Sequence, residues 1–184
     1  RSEKGAMSSR NLYYILEKDG ETTPLKSAVV AAIRSNVKAY LNPPIKNLNY
    51  KGIEKASGEI IKWFDSSKDA RTEFATSAMI MDRAGTGGAL FRNLYRDFLT
   101  ECHGLLEGRP GADLVEQGRD LFAESVLLWT SVAELIEKAG ASGSPDHLAK
   151  ASQLLDDIAT IETSAMTALG SLTKSGPDHS PRRS

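Results

Sequence analysis

The chain has 184 residues, enough for one domain with a substantial core. Its 23 basic and 24 acidic residues leave a net charge of −1. That excludes a nucleic-acid binder driven by phosphate contacts, which would carry a basic excess or stripe. No apolar run approaches the roughly 18 residues of a membrane span, and residues 1–11 are too polar for a signal peptide. The single cysteine, Cys102, can form no internal disulfide. A cytoplasmic, reducing setting is expected, with neither nucleic acid nor membrane as partner.

In chain order, residues 1–11 read as a linker or as the start of a fragment, with residues 1–6 open to being vector residues. The apolar run Leu12-Tyr13-Tyr14-Ile15-Leu16 is expected to be extended, as one short strand. Thr23 as N-cap and Pro24 at the first helical position open a helix. Leu25, Ala28, Val29, Ala32, Ile33, Val37 and Tyr40 mark its face, and Asn42-Pro43-Pro44 ends it. Residues 47–50 are expected as loop. A second helix carries Ile53, Ala56, Ile60, Trp63 and Phe64, and Asp65-Ser66-Ser67 breaks it and offers the next N-cap.

A third helix is expected over 68–82 and a fourth over 88–105, the latter with Leu90, Phe91, Leu94, Tyr95 and Phe98 on one side. Residues 108–111 read as a turn. The clearest helix spans 112–139, with Gly140 in the C′ position after it. Ser144-Pro145 starts the last helix, whose face is Leu148, Ala151, Leu154, Leu155, Ile158, Ala165 and Leu169. Short connections force antiparallel neighbours. The expectation is an all-α antiparallel bundle of five to six helices over residues 12–173, with room for one N-terminal strand. Residues 174–184 have no apolar periodicity and read as a disordered tail.

Three glycines in four residues, Gly85, Gly87 and Gly88, stand before the fourth helix. Glycine permits positive φ and close backbone approach, and a helix N-terminus presents free N–H groups to an anion. The loop is neither a Walker A loop nor a good dinucleotide fingerprint. Two readings stay open. In one, the N–H groups of 86–89 with Arg92, and Arg83 beside it, hold an anion. In the other, the glycines make a sharp turn and Arg92 pairs with an acidic neighbour. Cys102 and His103 are adjacent on a helix and do not face each other, so Cys102 reads as a small packed hydrophobe, and His147 is the one other candidate base. His103, His147 and His179 lie too far apart for a metal set. Asp156, Asp157 and Glu162 read as a solvated acidic face, and Trp63, Trp129, Tyr95 and Phe98 as core. No catalytic residue, metal ligand or cofactor is expected.

The pattern Gly-Thr-Gly-Gly-x-x-Phe-Arg-x-x-Tyr-x-x-Phe-Leu over residues 85–99 resembles the C-terminal helical domain of butirosin-biosynthesis-protein-H-like proteins. Tyr13-Tyr14, Pro43-Pro44, Trp63 and Leu128-Trp129 follow in the matching order, so the resemblance covers about residues 1–140. It implies an N-terminal cysteine-peptidase-like domain that supplies the nucleophile. It also implies acyl transfer from an acyl-carrier-protein thioester to an amine of a natural product, so the partners are that domain, a carrier protein and a small-molecule acceptor. A homo-oligomer is compatible with it. The carried-over ligand-binding positions are Gly85, Thr86, Gly87, Gly88, Phe91 and Arg92. Two alternatives stand beside this expectation. One is a stand-alone, non-enzymatic all-α binding module. The other, a self-contained lyase or cyclase, lacks the carboxylate cluster it would need.

Overall fold

The computed structural model of the protein describes residues 14–17, 20–84 and 87–172. Seven helices follow one another: α1 (Leu25–Leu41), α2 (Asn49–Ile60), α3 (Trp63–Ser66), α4 (Ala70–Asp82), α5 (Ala89–Leu106), α6 (Ala112–Ser142) and α7 (Asp146–Ser171). The two longest helices, α6 and α7, form a hairpin. Against it, α4 and α5 pack on α6, and α1 and α2 pack on α7.

The hairpin has a sequence cause. On α6 the buried positions are Val115, Gly118, Phe122, Ser125, Trp129, Val132, Ile136 and Ala139. On α7 they include Leu148, Ala151, Leu155, Ile158, Glu162, Ala165 and Leu169. Both series alternate steps of three and four residues. That spacing keeps one seam facing a neighbouring helix along its whole length. Leu148, Leu155, Ile158 and Leu169 are fully buried, and truncating such a side chain to Ala costs about 2–5 kcal/mol.

The core divides along this hairpin. One cluster gathers Ile53, Ile60, Phe74, Trp129, Ile136, Leu148 and Ile158 around the α2–α4 side. The other gathers Val29, Ile33, Tyr40, Leu99, Cys102, Phe122 and Leu169 around α1 and α5. Along α7 the change falls between Ile158 and Ala165, and along α6 between Phe122 and Val126. Glu162 and Ser125 occupy these crossover positions.

The all-α bundle is as expected, with boundaries that differ in instructive places. No strand occurs among the described residues, so Tyr14, Ile15 and Leu16 find no strand partner among them and are irregular and exposed. The start of that run and both chain ends lie outside the described residues. The helix expected over 53–64 begins earlier, at Asn49, and divides at Ile61–Lys62 into α2 and α3. Asn49 tolerates the required φ of 55°. Pro24, not Thr23, is the cap of α1. The cap of α4 is Asp69, whose side chain accepts from the Thr72 N–H, rather than the Asp65-Ser66-Ser67 segment.

The fourth helix turns differently than expected. Its buried positions are Ala89, Leu99, Cys102 and Leu106, whereas Leu90, Phe91 and Leu94 face outward. At the end of α6, Gly143 at φ 71° is the left-handed cap, and Gly140 is a buried helical residue. A Cβ on Gly140 would lie 2.6 Å from the Ala70 carbonyl oxygen and 2.8 Å from Phe74 Cβ. Neither neighbour can swing aside. Gly140→Ala is therefore expected to destabilise by about 1–3 kcal/mol despite the better helix propensity of alanine, read as a lower urea midpoint.

Candidate functional site

Three buried helix faces each carry one polar side chain at the level where the core divides: Arg92 on α5, Ser125 on α6 and Glu162 on α7. Glu162 is 0% exposed. Arg92 meets it as a fork, with Nε donating to Oε1 at 2.8 Å and Nη2 donating to Oε2 at 3.0 Å. Ser125 Oγ donates to Oε1 at 2.7 Å and Trp129 Nε1 at 3.0 Å. From α1, the Tyr40 hydroxyl donates to Oε2 at 2.8 Å. Five donors from three helices thus converge on one carboxylate of a fourth, which fills the roughly four lone-pair positions such a group offers. The Arg92 guanidinium also lies over the Trp129 ring, 4.9 Å from its centroid.

Burial pushes the Glu162 carboxyl up, but the Arg92 charge and the hydrogen bonds from Arg92, Ser125 and Trp129 outweigh it. The group sits below the usual carboxylate range and stays ionised. Burial, and then the Glu162 charge, push the Tyr40 hydroxyl far up, so it remains a donor. An ionised carboxylate with every lone pair engaged is a poor general base and has no position left for a cation.

The segment before α5 is shaped to deliver Arg92. Gly87 adopts φ 127°, and its carbonyl accepts a hydrogen bond from Arg92 Nη1. Gly88 lies so close to the Met81 carbonyl that any Cβ would collide with it. Gly87 is therefore required by its backbone conformation and Gly88 by packing, apart from any binding role. No side chain caps the first turn of α5. Arg83 turns outward to Asp82, with Nε to Oδ2 at 3.4 Å, and does not join Arg92. Gly85 and Thr86 lie outside the described residues.

Beside the Arg92–Glu162 pair opens a cleft of about 210 Å³, lined by Tyr40, Asn49, Phe91, Arg92, Tyr95, Phe122, Glu162 and Met166. Phe91 is half exposed at its edge. The Tyr95 ring packs edge-on against Phe122 and stacks with Phe98. Its hydroxyl is shielded from solvent and lacks a hydrogen bond of normal geometry. Burial pushes that hydroxyl up to about 12, with Asn36 as the polar neighbour that offsets it. Of the sequence-derived site residues, Phe91 and Arg92 line the cleft, and Gly87 supports Arg92 from behind.

Glu162 corrects the expected acidic face. Asp156 and Asp157 are exposed on α7, but Glu162 points into the bundle. The signal for this was present: Glu162 occupies the missing step between Ile158 and Ala165 in the apolar series. Cys102 is 1% exposed, and burial with the nearby Glu101 charge pushes its thiol up to about 11. Such a thiol is a packed hydrophobe rather than a nucleophile. His147 sits on the first turn of α7, beside Leu148 of the other core cluster. Among the described residues no group of three or more His, Cys, Asp or Glu side chains gathers as a metal site, and no helix is long and apolar enough to cross a membrane.

With this geometry in place, one family model matches residues 1–169, that of the DUF4872 domain, a domain of unknown function. The chain belongs to the DUF4872 family. Neither a curated protein nor a solved structure matches it. For this DUF4872 domain the buried pair is the most constrained feature, and the cleft beside it is the candidate ligand site.

Two outcomes are expected. Glu162→Gln strands the Arg92 charge and is expected to cost about 3–5 kcal/mol near neutral pH. A depressed carboxyl contributes stability above its unfolded value near 4.3 and loses it as pH falls through the folded value. The gap between wild type and Glu162→Gln in urea unfolding should therefore be full at about pH 6–7 and narrow below about pH 4. Separately, dilute iodoacetamide should label Cys102 at a rate limited by unfolding, with fast labelling only in denaturant.

Proposed function

We propose that this domain is the helical, ligand-binding part of a thioester-dependent acyltransferase-like enzyme of natural-product biosynthesis. It contributes substrate or carrier binding, and the nucleophile comes from a cysteine-peptidase-like domain. The observation that carries this reading is convergence. Phe91 and Arg92 of the motif that resembles butirosin-biosynthesis-protein-H-like proteins stand at one cleft, and Gly87 holds Arg92 in place. The division of labour is supported by what this chain's own groups can do. Cys102 is buried with a raised thiol, and Glu162 is saturated by donors. Neither can start acyl transfer, but a rigid cleft beside them can orient a reactant for it. The setting of such an enzyme would be cytoplasmic, with an acyl carrier protein and an amine acceptor as partners.

A stand-alone binding module is the second reading, favoured by the same saturation of Glu162. An acyl-transfer assay separates the two. With the cysteine-peptidase-like domain, a carrier-bound thioester and an amine acceptor, transfer is expected to require this domain. Cys102→Ala should retain activity, and Phe91→Ala should lower kcat/KM about tenfold with unchanged thermal stability. Transfer at full rate without the helical domain would overturn the enzyme reading and leave the binding module.

A further inference from the structure

The cleft beside Arg92 joins two kinds of surface. Its walls are Phe91, Tyr95, Phe122 and Met166, three rings and a thioether. Such walls favour flat, polarisable groups. Its floor is an ion pair that is already complete. Arg92 spends both arms of its fork on Glu162 and a further N–H on the Gly87 carbonyl, and its side chain is only 15% exposed. An incoming anion would meet a neutral pair rather than a free positive charge, and would lose its hydration to do so. An incoming ammonium would find no acceptor left on Glu162. Charged ligands of either sign are disfavoured.

One polar atom at the cleft remains unspent. The Tyr95 hydroxyl is not that atom, because it is shielded from solvent with Asn36 and Cys102 as its neighbours. Asn49 commits its Nδ2 to the Ala39 carbonyl at 2.8 Å, and its Oδ1 takes no hydrogen bond among the described residues. The volume, about 210 Å³, exceeds the roughly 150 Å³ that accommodates benzene in an apolar cavity. One ring with one substituent fits.

We propose that this cleft binds a small neutral aromatic group bearing a single hydrogen-bonding substituent, and that it rejects free anions. The inference rests on the reading of the domain as a ligand-binding part and names the chemistry of the ligand. The aromatic walls supply affinity. Asn49 Oδ1 sets orientation by accepting from the substituent, and the closed Arg92–Glu162 pair supplies the discrimination against charge.

The test is calorimetric titration of the whole chain with three probes: phenol, benzoate and inorganic phosphate. Phenol is expected to bind saturably at millimolar concentration, with benzoate and phosphate at least about tenfold weaker. Phe91→Ala, an exposed position whose truncation spares the core, should weaken phenol about fivefold. Phosphate or benzoate binding more tightly than phenol would overturn the proposal and mark the cleft as an anion site. Absence of saturable phenol binding in a folded protein would overturn it as well. Either failure leaves the acyl-transfer assay to decide the functional reading separately, because that assay asks whether the domain is required and not which group it holds.

Discussion

The structure depends on one buried carboxylate. Glu162 is drawn out of water into the middle of the bundle, a transfer that is costly unless every lone pair finds a donor. Arg92, Ser125, Trp129 and Tyr40 meet that demand from α5, α6 and α1. The consequence is mutual dependence. A small rotation of any of the four helices leaves a charge or a donor unpaired. The ion pair sets the rotational phase of the helices around the α6–α7 hairpin, and the two apolar clusters on either side supply the bulk of the stabilisation.

The same arrangement fixes what the neighbouring cleft can do. A free arginine in an aromatic pocket would be an anion trap. Here its charge is balanced within the fold, and its fork is held in a plane by Glu162 and stacked on Trp129. The cleft is therefore rigid and nearly neutral at its floor, with aromatic walls on α5 and α6 and a methionine from α7. Gly87 and Gly88 belong to this design. Gly88 brings the chain tightly past Met81, and Gly87 offers its carbonyl to Arg92, so that α5 begins where Arg92 reaches Glu162. A structural and a binding role for the glycine segment are thus compatible: the turn that positions Arg92 also forms the approach to the cleft through Phe91.

Much of the fold was legible in local pattern. Prolines at 24, 43, 44 and 145, glycines between helices and the apolar stripes locate the long helices to within a few residues. What local pattern misjudged was the direction of a helix face. Leu90, Phe91 and Leu94 look like a buried stripe, yet they face outward because Arg92 takes the inward position on α5. The extension of α6 past Gly140 follows from Ala70 and Phe74 packing against that glycine, a contact that sequence spacing does not display. The site was half visible. Phe91, Arg92 and the glycines stood out by their motif, whereas Tyr40, Asn49 and Ser125 carry no local signature, and Glu162 showed only as a charge at a core step.

By itself the sequence determined that the chain is helical, where its long helices lie and which residues are apolar enough to form a core. These are local properties, set by a period of about 3.6 residues, by caps and by the stereochemistry of proline and glycine. Only the tertiary structure decided that Arg92 pairs with a glutamate 70 residues away and that Tyr40, 122 residues from that glutamate, joins them. Helical periodicity says which residues share a face. It does not say which face of another helix they meet, and the energy of a buried charge depends entirely on that meeting.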